Sequence, residues 1–165
     1  MKLVYLIIIL VFLAGCSHEV SVKQLDFNET IVVYDDAERG FSVGHPESWR
    51  LEEDEKMAAF NGPAYDMFIS VTYEELYPNQ SAEDYFKNAK KTFAEFGMEI
   101  LKEDNITFAN NDAYVIEYAF SNLQLKRIFI GKEDRVYEIT CASDSSKFET
   151  MRKICSSSLS EFEFI

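Results

Sequence analysis

The sequence predicts an α+β domain, an antiparallel β-sheet flanked by helices, and three stretches carry that expectation. Met67, Ile69, Val71 and Tyr73 alternate with Phe68, Ser70, Thr72 and Glu74, the two-residue period of a strand with one buried face. Tyr85, Phe86, Ala89, Phe93 and Phe96 recur at helical spacing. From Ile100 to Cys141, apolar and β-branched runs follow one another across short turns, as in a meander. Fourteen phenylalanines and nine tyrosines supply the interior of such a domain, and only three prolines and six glycines argue against a disordered stalk.

The elements follow in order. Thr30 to Tyr34 is a β-branched strand and Phe41-Ser-Val a second, with an acidic turn between them ending at Gly40 and Pro46 closing the second. After the Met67–Glu74 strand, Pro78 interrupts the chain. Ser81, three residues before Asp84, then starts a helix with a capping-box pattern that lasts to Gly97 and is expected to lie across the sheet. Ile100 to Phe108 turns at Asn110-Asn111, residues that tolerate left-handed geometry, and Ala113 to Phe120 returns. Leu123 to Ile130 and Arg135 to Cys141 form a further hairpin around Gly131 to Asp134. Asp144 or Ser145 starts a second helix with Phe148, Met151, Ile154 and Cys155 on one face. The serine run 156 to 158 is expected to unwind its end, and Glu161-Phe-Glu-Phe-Ile165 to form a short closing strand.

The N-terminus sets the compartment. One lysine, eleven apolar residues from Leu3 to Leu13, and then Ala14-Gly15-Cys16 make a lipobox. Small residues before the cysteine let the chain pass through a peptidase that cuts there, and the Cys16 sulfur carries a diacylglyceryl group with palmitate-type chains. Eleven residues are too few to cross a bilayer, which takes about 20. Residues 1–15 are thus read as a lipoprotein signal peptide and 16–28 as the lipidated cysteine and a flexible tether. Residues 29–165 are read as the globular domain. Anchored chains place that domain at the cell membrane, on its extracytoplasmic face, without spanning it.

Cleavage before Cys16 would leave 15 basic against 29 acidic residues, a net charge of −14. That balance excludes a nucleic-acid partner, because phosphates would be repelled. The acidic runs Glu52-Glu53-Asp54-Glu55, Asp35-Asp36 with Glu38, and Glu133-Asp134 read as solvated turns. Ca²⁺ binding is the alternative, and no Asp-x-Asp-x-Asp-Gly loop supports it. Three sequons, at Asn28, Asn79 and Asn105, are possible glycosylation sites in a host that glycosylates exported proteins.

Two further cysteines remain, outside the reducing cytosol. Tyr137, Ile139 and Cys141 share one strand face, and Cys155 shares a helix face with Phe148 and Met151. Both sulfurs therefore point inward, either as a disulfide or as two buried thiols, and the compartment favours the disulfide. Catalytic apparatus is not visible. The two histidines, His18 in the tether and His45 beside Pro46, form no ligand cluster, and His45 is expected to pack on Trp49. Nucleophile-elbow and phosphate-loop motifs are missing. The sequence therefore names no catalytic residue, no metal ligand and no cofactor.

The order Gly40-Phe41-Ser-Val-Gly-His-Pro46-Glu-Ser-Trp49, a strand, the Ser81 helix, a meander, a last helix and a closing Ser-x-x-Phe-x-Phe segment resembles the PsbP-like family over residues 30 to 165. The Phe-x-x-x-x-Pro-x-x-Trp stretch is its best motif, with His45-Pro46 where many relatives have Tyr-Pro and Asn110-Asn111 where a glycine is common. The resemblance implies an α-β-α sandwich and a binding or assembly role. Plant relatives are extrinsic subunits that help a photosystem hold calcium and chloride, and no shared catalytic residues come with the family. The resulting expectation is a non-enzymatic lipoprotein docking on a membrane complex or envelope component, with a protein partner in the envelope. A small-molecule or Ca²⁺-binding lipoprotein is the alternative, and an envelope hydrolase is disfavoured.

Overall fold

The computed structural model describes residues 29–165. The expected signal peptide and tether, with Cys16, His18 and Asn28, lie outside the described residues. Ten strands and two helices follow in the order β1 (Ile31–Asp36), β2 (Phe41–Pro46), β3 (Arg50–Glu53), β4 (Met57–Asn61), β5 (Met67–Glu75), α1 (Ala82–Glu95), β6 (Glu99–Phe108), β7 (Asn111–Phe120), β8 (Leu123–Lys132), β9 (Arg135–Asp144), α2 (Phe148–Leu159) and β10 (Glu163–Phe164).

Seven strands form one sheet in the order β3-β4-β5-β9-β8-β7-β6, and β1-β2-β10 form a smaller one. Every recorded pairing is antiparallel. The chain leaves β5, crosses the sheet as α1 to its far edge at β6, and then returns strand by strand until β9 pairs with β5. The expected meander and crossing helix are both present.

Alternation divides the large sheet into two buried faces. On β7, Ile116 and Tyr118 join Phe86 and Phe93 of α1. On the opposite side of β7, Ala113 and Val115 join Met151, Ile154 and Cys155 of α2, together with Phe41 and Val43 of β2. The expected sandwich is therefore only part of the architecture. One helix covers the first face, whereas the second is shared by α2 and the small sheet, so strands dominate the fold.

Local chemistry explains several boundaries. Ser81 caps α1, its hydroxyl accepting from the Asp84 N–H while the Asp84 carboxylate accepts from the Ser81 N–H. Gly97, at φ +72, ends the helix in the left-handed conformation. Phe96 is the cap residue and is 68% exposed, so it lies outside the apolar stripe in which the spacing placed it. The β6–β7 turn falls on Ala109 and Asn110, both at positive φ, one residue earlier than expected. Asn111 instead opens β7 and donates from Nδ2 to the Ala109 carbonyl.

Three expectations are corrected. The run Glu52-Glu53-Asp54-Glu55 is only half a turn, because Glu52 and Glu53 belong to the edge strand β3. All four of its side chains are exposed, and without a buried face no alternation marks it. The serine run does not unwind α2, which continues to Leu159. Ser158 is fully buried against β2, where a Cβ added at Gly44 would stand 2.9 Å from the Ser158 carbonyl oxygen and 2.8 Å from Ile31 Cγ2. Small residues on both elements let helix and strand approach. His45 stacks not on Trp49 but on Phe60, with ring centroids 4.2 Å apart, because the period of β2 puts it on the same side as Phe41 and Val43.

Two covalent or ionic links join the layers. Cys141 of β9 and Cys155 of α2 form a disulfide with Cα atoms 6.0 Å apart, each sulfur-bearing residue about 1% exposed. At the other end, the Tyr34 hydroxyl of β1 donates to Glu53 of β3 at 2.7 Å, and Arg39 bridges the Asp36 carboxylate to the Asp54 carbonyl. Burial pushes the Asp36 carboxyl up, but the Arg39 backbone N–H and guanidinium outweigh it and hold the group below its ordinary value.

Replacing Cys141 and Cys155 by alanine is expected to remove about 3 kcal/mol and lower the melting temperature by roughly 10 °C, read by calorimetry against the oxidised protein. Gly44→Ala is expected to cost about 1–3 kcal/mol through overpacking, seen as a lower urea midpoint at unchanged slope. Because its folded pKa is depressed, Asp36 stabilises above its unfolded pKa of about 3.9, and that contribution fades as pH falls through the folded value. Asp36→Asn is therefore expected to destabilise at pH 7 and to converge with wild type in acid-titrated melts only once the pH has fallen below the depressed folded value.

Candidate functional site

The candidate site is a groove of ≈450 Å³ beside α1, open along one side. That volume lies within the usual range of small-ligand sites. The capping box fixes the start of α1, and the loop before it is held by the Tyr77 N–H donating to Gln80 Oε1 and by Asn79 at φ 67. Phe86 and Phe93 go down onto the sheet, which leaves Tyr85, Asn88, Ala89 and Thr92, spaced at three and four residues, along the groove wall.

The floor comes from adjacent strands. Arg127 of β8 and Glu138 of β9 both point to the α1 face, and the guanidinium donates from Nη1 to Glu138 Oε2 at 3.2 Å. The other carboxylate oxygen accepts from the Tyr85 hydroxyl at 2.8 Å. Arg127 is further held with its guanidinium carbon 5.2 Å from the Phe93 ring centre and 5.8 Å from that of Tyr118. Its Nε is buried and has no partner among the described residues. Burial, reinforced by the Glu138 charge, pushes the Tyr85 hydroxyl well above its ordinary pKa, so at neutral pH it stays protonated and donates.

The mouth is different in character. Glu74 and Glu75 end β5, and Glu74 is bonded to Lys56 Nζ at 3.0 Å. Tyr77 stands 79% exposed at the rim. Glu138, by contrast, keeps only 14% of its side chain exposed. The groove thus combines aromatic surface, side-chain amides and a negative charge fixed by two donors.

The residues singled out in the sequence are scattered. Cys141 and Cys155 meet, but on the opposite face of the sheet from the groove. Asn79 is exposed near the rim and Asn105 is exposed on the edge strand β6. Three side chains of the acidic runs have local partners: Asp36 pairs with Arg39, Glu53 accepts from Tyr34, and Asp54 accepts from the Lys56 N–H. Among the described residues, no three His, Cys, Asp or Glu side chains gather to hold a metal ion.

Sequence reading missed the groove because Tyr85 and Glu138 are 53 residues apart. One signal was present. Leu125, Arg127 and Phe129 share a face, so an arginine sat in an otherwise apolar row.

No protein-family model matches the chain, and no curated protein matches it by sequence. Solved structures do match. Cyanobacterial PsbP (CyanoP) from Synechocystis sp. PCC 6803 aligns at TM-score 0.66 and 12% identity over 92% of this chain and 99% of that one. LpqN, described as involved in cell envelope biogenesis of Mycobacterium tuberculosis, aligns at TM-score 0.60 and 12% identity over 84% and 92%. PA94 from Pseudomonas aeruginosa, a protein of unknown function, aligns at TM-score 0.57 and 16% identity over 77% and 92%. At that TM-score over nearly the whole of both chains, the described domain has the PsbP-like fold.

Proposed function

We propose that this chain is a lipoprotein of the extracytoplasmic membrane face, moored through Cys16, whose domain binds a membrane or envelope component rather than transforming it. The Cys141–Cys155 disulfide is the observation that carries this reading. A disulfide buried in a core belongs in an oxidising compartment, which is where the Leu13-Ala14-Gly15-Cys16 sequence would deliver the chain. A tether of about a dozen residues would reach roughly 20 Å and leave the acidic domain clear of anionic headgroups.

Binding is supported by the groove, in which Tyr85, Glu138 and Arg127 are engaged with one another, and by the neighbours. One of these is a PsbP and another is described as acting in envelope biogenesis. Capture of a small molecule, the second reading, is favoured by the groove's volume. The Ca²⁺ version has less support, since the acidic side chains named above already bond to Arg39, Tyr34 and the Lys56 N–H. In a host that glycosylates exported proteins, Asn28, Asn79 and Asn105 remain proposed acceptors.

Anchoring is tested by detergent partition of the full chain from its own membranes. Wild type is expected in the detergent phase, with an N-terminal diacylglyceryl-cysteine in intact mass, and Cys16→Ala in the aqueous phase. Wild-type protein that washes off in buffer, or that still begins at Met1, would refute it.

A further inference from the structure

Resting on the anchoring reading above, we propose that the domain stands end-on against the bilayer, with the end of the large sheet at which the chain enters it in contact with the lipid surface. Strand directions define two ends. At one lie the β4–β5 turn, the close of β9, the β7–β8 turn and the start of β6. Backbone hydrogen bonds join these tips into one surface, the Asp144 N–H donating to the Asp66 carbonyl and the Ser145 N–H to the Asn122 carbonyl. The described chain also enters here. The Thr30 carbonyl accepts from the Glu47 N–H and the Ser48 hydroxyl donates to Glu29. Arg50 of β3 then donates from Nη1 to the Tyr65 hydroxyl of the β4–β5 turn at 2.8 Å.

Apolar side chains mark the same end. Tyr65 on the β4–β5 turn, Phe96 between α1 and β6, and Phe120 and Leu123 at the β7–β8 turn are all exposed. Such side chains on loop tips suit the lipid interface, where their apolar bodies leave water while the Tyr65 hydroxyl and the Arg50 guanidinium stay among headgroups. Two carboxylates here are engaged, Asp66 with Lys147 and Asp144 with Asn122 Nδ2, and Glu47 and Glu99 stand exposed at the margin. Charge fixes which end faces down. The acidic turns at residues 35–38, 53–55 and 133–134 all lie at the opposite end, where Arg39 bridges the first two and the Leu76 N–H donates to the Asp134 carbonyl. Strands of 10 residues such as β8 separate the ends by roughly 30 Å, several Debye lengths at physiological salt. In a chain of net charge −13, standing on the apolar end keeps those acids away from anionic headgroups. A tether of about a dozen residues joined to that end, with a reach of roughly 20 Å, holds it within range of the surface.

The test places a tryptophan at either end of the lipidated mature chain, reconstituted in protein-free zwitterionic vesicles whose acyl chains carry bromine. Phe120→Trp is expected to be quenched by the bromines and blue-shifted. Tyr77→Trp, at the far end, is expected to match wild type, whose single tryptophan, Trp49, is buried and sets the baseline. Quenching is expected to persist at high salt, as an apolar contact does and an ionic one does not. Adding Phe96→Ser and Leu123→Ser to the Phe120→Trp chain is expected to lower the docking equilibrium about tenfold or more. Both side chains are exposed, so the fold is kept, which a thermal melt checks. Equal quenching at the two ends, loss of quenching at high salt, or no effect of the paired serines overturns the proposal. Quenching that appears only when native membrane proteins are added overturns it in favour of a protein partner. A chain that floats with the vesicles yet shows no quenching at residue 120 overturns it and leaves the anchor standing. The anchor is decided by detergent partition alone, so the two readings fail separately.

Discussion

Everything in this domain is arranged around a seven-stranded sheet that must bury both of its faces. A sheet open to water on one side can alternate apolar with polar residues, but here β7, β8 and β9 carry apolar side chains on both sides. Two different lids answer that demand. On one side α1 sets Phe86 and Phe93 on the sheet. On the other, α2 and the β1-β2-β10 sheet divide the area, with Phe41, Met151 and Phe162 among the side chains that close it.

The second lid is composite, so it needs fastening. Two close contacts do this within a few residues of each other on α2: the disulfide at Cys155 and the approach of Ser158 to Gly44. The first ties the helix to β9 and the second lets it nestle against β2, so α2 holds the two sheets in register. The Tyr34, Asp36 and Arg39 network makes a separate fastening to the β3–β4 hairpin. Each fastening ties a covering element to the strands beneath it or beside it.

The first lid has room to spare. A single helix cannot cover the width from β5 to β6, and the strip it leaves at the β5–β9 side becomes the groove. Polar side chains on the sheet there need partners, and Arg127, Glu138 and Tyr85 satisfy most of that need among themselves. The site is thus a consequence of incomplete coverage, and its chemistry comes from what the uncovered strip carries.

Sequence alone determined the α1 cap, the meander, the inward facing of Cys141 and Cys155 and the short closing strand, because each is written in spacing over a few residues. Even so, local pattern slipped by a residue at the Ala109–Asn110 turn and passed over β3, whose exposed edge leaves no period to detect. Only the tertiary structure decided that the second face is covered by a helix and a sheet together, that Ser158 is buried, that His45 lies on Phe60, and that Tyr85 meets Glu138 across 53 residues. Those facts depend on which surfaces come together once the chain has crossed the sheet, and short-range periodicity carries no record of that.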